Sequence, residues 1–193
     1  MKHYIEITLL PDAEVGLGFI WQKVYQQIHL ALVEVKDANE DVNVGVSFPK
    51  YGGKTFPLGD TIRLFGKTPD DLKAVRLDQW FSRLSDYVSM TNVQEVPQHI
   101  ETYVCFRRKQ PKTGFMKRVE KQAGRHGVSI EAALEHFKNY DKEYQLTLPF
   151  VQAYSQTWKQ YFPLFIEKSC TPSYMAGPFD TYGLSKEATV PWF

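Results

Sequence analysis

Apolar and polar positions alternate along the first half of this chain with the period of β-strands, interrupted by two helical stretches. Ile5, Ile7 and Leu9 alternate with Tyr4, Glu6 and Thr8, predicting a half-buried strand that stops at Pro11-Asp12. Over residues 18–36, Ile20, Val24, Ile28, Ala31 and Val35 fall on one stripe at the helical period of about 100° per residue. Val42, Val44, Val46 and Phe48 alternate as a second strand, and Tyr51-Gly52-Gly53-Lys54 marks a turn beyond it. Thr61 to Gly66 reads as a third strand. Thr68-Pro69-Asp70-Asp71 has the residues of a helix start, with Thr at the N-cap, Pro at N1 and acids in the first turn. Leu72, Val75, Trp80, Leu84 and Tyr87 supply the apolar face of that helix or helix pair, and a weaker strand from Met90 to Val96 closes at Pro97. The order β-α-β-β-α-β is that of a ferredoxin-like or RNA-recognition-like domain over residues 1–97.

The second half, residues 98–193, reads differently. A strand-like run from Thr102 to Arg108 passes into a helical segment over 115–126, for which Gly127 fits the C-cap. Ser129 fits the N-cap of a further helix through Tyr140. Short strands follow at Leu146–Gln152, Tyr161–Lys168 and Asp180–Leu184. The chain ends on Pro191-Trp192-Phe193, where a frayed tail would be polar, so Trp192 and Phe193 are expected to be buried and to hold Tyr182 rigidly. The fold class expected is α+β: a ferredoxin-like domain followed by an α/β domain carrying the helix over 115–126, joined near Pro97 to Glu101.

Composition narrows the class without naming a chemistry. Apolar residues at 43% and charged residues at 23% describe an ordinary globular protein. There is no apolar run of about 18 residues and no leader pattern at Met1-Lys2-His3-Tyr4, so neither a membrane span nor a signal peptide is expected. Cys105 and Cys170 have no metal-type spacing and read as reduced thiols of a cytoplasmic protein. Charge changes the picture more. The net charge is only +1, yet between residues 106 and 125 eight Lys and Arg residues face the single acid Glu120, a local +7. Lys117, Lys121 and Arg125 recur every four residues and share one helix face. Such concentration in a nearly neutral chain points to a polyanion footprint; the alternative is a solvated charged face.

Three residues could carry chemistry. His29 falls near 180° when the apolar stripe spans roughly 0–140°, just past Tyr25, so it is a boundary histidine. Such a residue is either a satisfied surface group or a half-desolvated base that reaches a ligand. Ser155 follows a predicted strand without a GxSxG context, which argues against a hydrolase elbow and leaves a turn serine as the plain alternative. Tyr182 precedes Gly183 and reads as packing unless something brings it to His29. Phosphate-cradling glycine motifs and metal-ligand spacing are absent from the sequence.

Taken in order, a further set of residues points to one family. His3-Tyr4, His29, Gly45-Val46-Ser47-Phe48-Pro49, Leu148-Pro149-Phe150-Val151, Ser155-Gln156, Phe162 with Leu164-Phe165-Ile166, Tyr182-Gly183-Leu184-Ser185-Lys186 and Pro191-Trp192-Phe193 run over nearly the whole chain. In that order and spacing the chain resembles the type I-F CRISPR RNA-processing endoribonucleases, which cut the repeat hairpin of a precursor transcript and stay bound to the product. The resemblance implies that His29, Ser155 and Tyr182 are the active-site residues. It implies that Phe162 stacks on the base pair at the foot of the hairpin, with Thr157 among the RNA contacts. Lys117, Arg118, Lys121 and Arg125 lie where the family has an arginine-rich helix in the RNA groove, though this helix mixes Lys, Gln and Gly. For the family's two base-reading residues, Arg107 or Arg108 with Lys109 or Gln110 are the candidates. The implied partners are a CRISPR repeat hairpin and the other subunits of a surveillance complex, with no metal, cofactor or membrane.

That mechanism is chemically self-sufficient, because RNA carries its own nucleophile in the 2′-hydroxyl beside the scissile phosphate. The protein would supply a base (His29), a group holding the 2′-oxygen in line (Ser155), an orienting Tyr182, and positive charge for the phosphorane. Two other readings remain open: a non-catalytic scaffold that clamps structured RNA, and a protein–protein adaptor whose basic segment is solvated surface.

Overall fold

The computed structural model describes residues 1–54, 56–110, 113–137, 148–156 and 158–193, and of 113–116 and 136–137 the backbone alone. Thr157, the last residues of the helix expected through Tyr140, and the first of the strand expected from Leu146 lie outside the described residues. The fold is α+β. In chain order its elements are β1 (His3–Leu9), α1 (Leu17–Glu34), β2 (Gly45–Ser47), β3 (Thr61–Gly66), α2 (Pro69–Ala74), α3 (Leu77–Trp80), β4 (Val88–Met90), β5 (Gln94–Glu95), β6 (Thr102–Lys109), α4 (Thr113–His126), α5 (Ile130–Phe137), β7 (Phe150–Ser155), β8 (Gln160–Thr171) and β9 (Val190–Trp192).

Among the described residues the strands form two sheets, one ordered β2-β3-β1-β4 with β5 also on β1, the other β7-β8-β6-β9. β1 runs antiparallel to β3 with Ile5 opposite Leu64 and Ile7 opposite Ile62, which turns the alternating apolar set to one face. α1 lays its stripe of Ile20, Val24, Ile28 and Ala31 into the same core as Ile7, Leu64, Val104 and Leu164. At its centre, Phe48 meets Trp21 and Tyr25 on α1 at ring-centroid distances of 5.8 and 6.0 Å and Phe106 on β6 edge-on at 5.0 Å. This cluster ties the helix bearing His29 to the strand bearing Arg107 and Arg108.

Local chemistry explains where expectation and structure part. Thr68 caps α2 as expected, with Asp71 closing a capping box. The helix then breaks at Arg76, whose φ is +50° and whose guanidinium donates to Glu34 at 2.7 Å, so α3 starts on a new axis. The segment Asp180–Leu184, expected as a strand, is instead a turn: the Asp180 carboxylate takes the amides of Tyr182 and Leu184, and Gly183 has φ +70°. The C-terminal tail docks through β9, which pairs with β6, but the burial falls on Val190 and Pro191. Trp192 is half-buried under the Lys168 ammonium, 3.4 Å from its ring centroid, and Phe193 is 38% exposed, its ring 4.3 Å from the Arg63 guanidinium. The terminal aromatics are therefore cation platforms at the rim rather than buried anchors.

Compactness divides the chain into residues 1–108 with 149–193, and residues 109–148. The boundary expected from sequence lies near 97–101, inside the first of these units. In the second unit α4 buries Val119 and Ala123 against Ala133 of α5. Gly127, at φ +62°, ends α4 with the Val128 amide returning to the Ala123 carbonyl, and the Ser129 hydroxyl accepts the Ala132 amide to start α5. No described helix is long and apolar enough to cross a membrane.

Candidate active site

α1 presents His29 at the edge of its buried stripe, where the imidazole is half-buried. Its Nδ1 lies 2.9 Å from the Thr181 carbonyl. A carbonyl only accepts, so Nδ1 carries the proton and Nε2 keeps its lone pair. The Tyr182 ring is stacked on the imidazole, with centroids 4.0 Å apart and an angle of 4° between the ring planes. Burial holds the His29 pKa below its ordinary 6.5, against the pull of the Thr181 hydrogen bond and the Asp180 charge; nearby Arg108 lowers it further. A histidine in this setting is neutral, oriented and able to take a proton at Nε2 near pH 7.

The turn carrying Tyr182 is tightly fixed. Tyr25, one helical turn before His29 and fully buried, donates its hydroxyl to the Tyr182 carbonyl at 2.9 Å. Gly183 donates to the Asp180 carbonyl at 2.8 Å and accepts from the Val46 amide at 2.8 Å. Tyr182 is half-buried and its phenol is pushed above the usual range, chiefly by burial, so it stays neutral.

Ser155 is the last residue of β7, opposite Gln160. Its neighbour Tyr154 donates its amide to Gln26 Oε1 at 3.1 Å, and Gln26 lies three residues, one helical turn, before His29. The end of β7 is thus tied to α1 beside the histidine. Ser155 Oγ accepts the Trp158 amide at 3.1 Å, which leaves its hydroxyl proton free to donate. On β8, Phe162 is half-buried, and the exposed Arg108 guanidinium lies over both its ring and that of Tyr182, at 5.3 and 5.8 Å. Arg107 is engaged differently: it donates to Ser169 at 3.1 Å and pairs with Glu167 at 3.3 Å. Of the two arginine candidates, Arg108 is the one directed at the His29–Tyr182 pair.

A family model for CRISPR-associated protein Cas_Csy4 matches residues 4–193. The chain belongs to the Cas_Csy4 family. It is 32% identical over 194 residues to the CRISPR-associated endonuclease Cas6/Csy4 of Pseudomonas aeruginosa (strain UCBPP-PA14), covering the whole of both chains. It is 30% identical over the same full length to the CRISPR-associated endonuclease Cas6/Csy4 of Escherichia coli (strain UTI89 / UPEC).

In this Cas_Csy4 chain the remaining candidates are spread over the two units. Lys109 and Gln110 are exposed just past the division at 108. Lys117, Arg118, Lys121 and Arg125 are all exposed on α4, on the side opposite the buried Val119 and Ala123. Among the described residues no group of three or more His, Cys, Asp and Glu side chains is placed to hold a metal ion. Pattern reading overlooked Tyr25, Gln26, Thr181 and Asp180. Tyr25 reads as one more apolar position, and Thr181 acts only through its carbonyl. Asp180 did leave a signal, since an Asp three residues before a Gly is a turn pattern.

Proposed function

We propose that this chain binds the stem-loop of CRISPR repeat RNA and cuts it by attack of the RNA's own 2′-hydroxyl, without metal. The observation that carries the reading is the His29 imidazole, fixed by Thr181 at Nδ1 and by the Tyr182 ring, with Nε2 left to accept a proton. The naming of both full-length relatives as CRISPR-associated endonucleases supports it. His29 Nε2 takes the 2′-hydroxyl proton, and the 2′-oxygen bonds to the adjacent phosphorus. The bond from phosphorus to the 5′-oxygen breaks, and that oxygen takes up a proton, leaving a 2′,3′-cyclic phosphate and a 5′-hydroxyl. The Ser155 hydroxyl donates to the 2′-oxygen and keeps it in line; Tyr182 orients the base; Arg108 offsets the charge that builds on the phosphorane. A positioned base of this kind contributes about 10²–10⁴-fold.

Phe162 serves as a stacking platform for the terminal base pair, and Arg107, Arg108, Lys109, Gln110 and Thr157 are the further RNA-contacting candidates. The exposed basic row of α4 takes the phosphates of the stem, where recognition of A-form RNA is by shape and charge. The β2-β3-β1-β4 order reads as a ferredoxin-like half over residues 1–97, the remainder being the RNA-binding half. The product hairpin stays bound, in the cytoplasm, as part of a surveillance complex.

Cleavage of a repeat hairpin in EDTA, beside the same hairpin with one 2′-deoxy sugar at the cut, tests this. Full activity in EDTA and none on the deoxy substrate is the expected result. A requirement for Mg²⁺, or cutting of the deoxy substrate, overturns the mechanism. Tight binding with no cleavage of the native hairpin would leave a scaffold role in its place.

A further inference from the structure

Both contacts that orient His29 come from one short turn, and one side chain closes it. Asp180 Oδ1 accepts the Tyr182 amide at 2.8 Å and the Leu184 amide at 3.0 Å. The backbone closes the same loop, with the Asp180 amide donating to the Leu184 carbonyl and the Gly183 amide to the Asp180 carbonyl, both at 2.8 Å. Inside that loop lie the Thr181 carbonyl that takes His29 Nδ1 at 2.9 Å and the Tyr182 ring stacked on the imidazole at 4.0 Å. We propose that Asp180 is the positioning residue of the cleavage site, holding the Thr181 carbonyl and the Tyr182 ring on His29 and placing its negative charge beside that imidazole.

The inference rests on the reading of His29 as the base. Its electrostatic part follows from what surrounds the ring. Arg108 on β6 opposes Asp180, and the phenols of Tyr182 and Tyr25 are neutral. α1 carries no charged residue between Lys23 and Glu34, and β7 carries none over Phe150–Ser155. Asp180 is therefore the acidic group that offsets Arg108 and burial at the imidazole. Its own carboxyl is raised by burial, while the two amides and Arg108 pull it back toward the charged form.

Asp180→Asn and Asp180→Ala in the full chain separate capping from charge. Labelling the five histidines with ¹⁵N and assigning His29 by difference from His29→Ala reports its tautomer and titration without RNA. In the wild type, His29 should show the Nδ1–H tautomer. In Asp180→Asn the amide oxygen keeps both backbone hydrogen bonds, so the tautomer is retained while the titration midpoint falls. The pH profile of single-turnover kcat/KM should move down with it. Asp180→Ala frees both amides, so the tautomer preference is lost and the plateau rate falls by up to about 10²-fold, the cost of a misplaced catalytic group. A His29 tautomer and midpoint unchanged in both variants overturn the proposal. Loss of tautomer preference in Asp180→Asn as well overturns it, since the carboxylate's hydrogen bonds would then not be what holds the ring. Failure of the wild type to cut any repeat hairpin would instead remove the nuclease reading, and the histidine spectra would still decide the role of Asp180.

Discussion

Gly183→Ala puts the active-site turn to a direct test. Gly183 sits at φ +70°, where a residue with a Cβ costs about 1–2 kcal/mol. A Cβ there would lie 2.2 Å from Val46 Cγ2, 2.9 Å from Val46 Cβ and 3.1 Å from Val46 N. Val46 is buried in β2 and its amide donates to the Gly183 carbonyl, so neither side can move without breaking that bond. Overpacking of this kind costs about 1–3 kcal/mol, and breaking the hydrogen bond about 1 kcal/mol. The sum, about 3–6 kcal/mol, is a large part of a typical domain stability of about 5–15 kcal/mol. The chain relieves it most readily by letting the turn lift off Val46, which takes the Tyr182 ring from His29. If about 1.4–2.8 kcal/mol reaches the transition state, cleavage slows 10–100-fold. Single-turnover cleavage and hairpin affinity should be measured side by side, with a urea unfolding curve on each protein. The expected outcome is a lower unfolding midpoint, a rate down by at least about tenfold, and affinity within about threefold, since α4 is untouched. Wild-type rate and midpoint together would refute the account of this turn.

Two further predictions concern charge. Burial lowers the His29 pKa, and a base must be neutral to act, so kcat/KM should fall with acid below a midpoint under 6.5 and level off above it. The same depressed value means that protonating His29 opposes folding, so its contribution to stability is present above pH 6.5 and lost as pH falls through the folded pKa; a kinetic midpoint above 6.5 would contradict both. On α4, Lys117→Ala, Lys121→Ala and Arg125→Ala should weaken hairpin binding at low salt. They should also flatten the plot of log affinity against log salt by about 0.7–0.9 for each phosphate that is no longer neutralised. An unchanged slope in the triple variant would make that face solvated surface.

Much of the scaffold was legible because its signals are local. Alternation along β1, the stripe of α1, the Thr68–Asp71 capping box and the Gly127–Ser129 link each depend on residues within a few positions of one another. The misreadings have two causes, one a local side chain and one a distant charge. Asp180–Leu184 has the apolar content of a strand, but its carboxylate satisfies the amides a neighbouring strand would have taken. Trp192 and Phe193 looked like core residues, yet Lys168 and Arg63 bring cations to their faces at the rim.

The site divides in the same way. The sequence alone determined which chemical groups exist: a boundary histidine, a strand-end serine, a tyrosine before a glycine, and a row of cations on one helix face. Their order along the chain was enough to indicate the family. Only the tertiary structure decided that Tyr182, 153 positions from His29, stacks on it, that the Thr181 carbonyl sets its tautomer, and that Arg108 rather than Arg107 leans over the pair. The physical reason is that hydropathy records which face of an element is buried. Which carbonyl or ring meets a given imidazole depends on how separate elements close around one core.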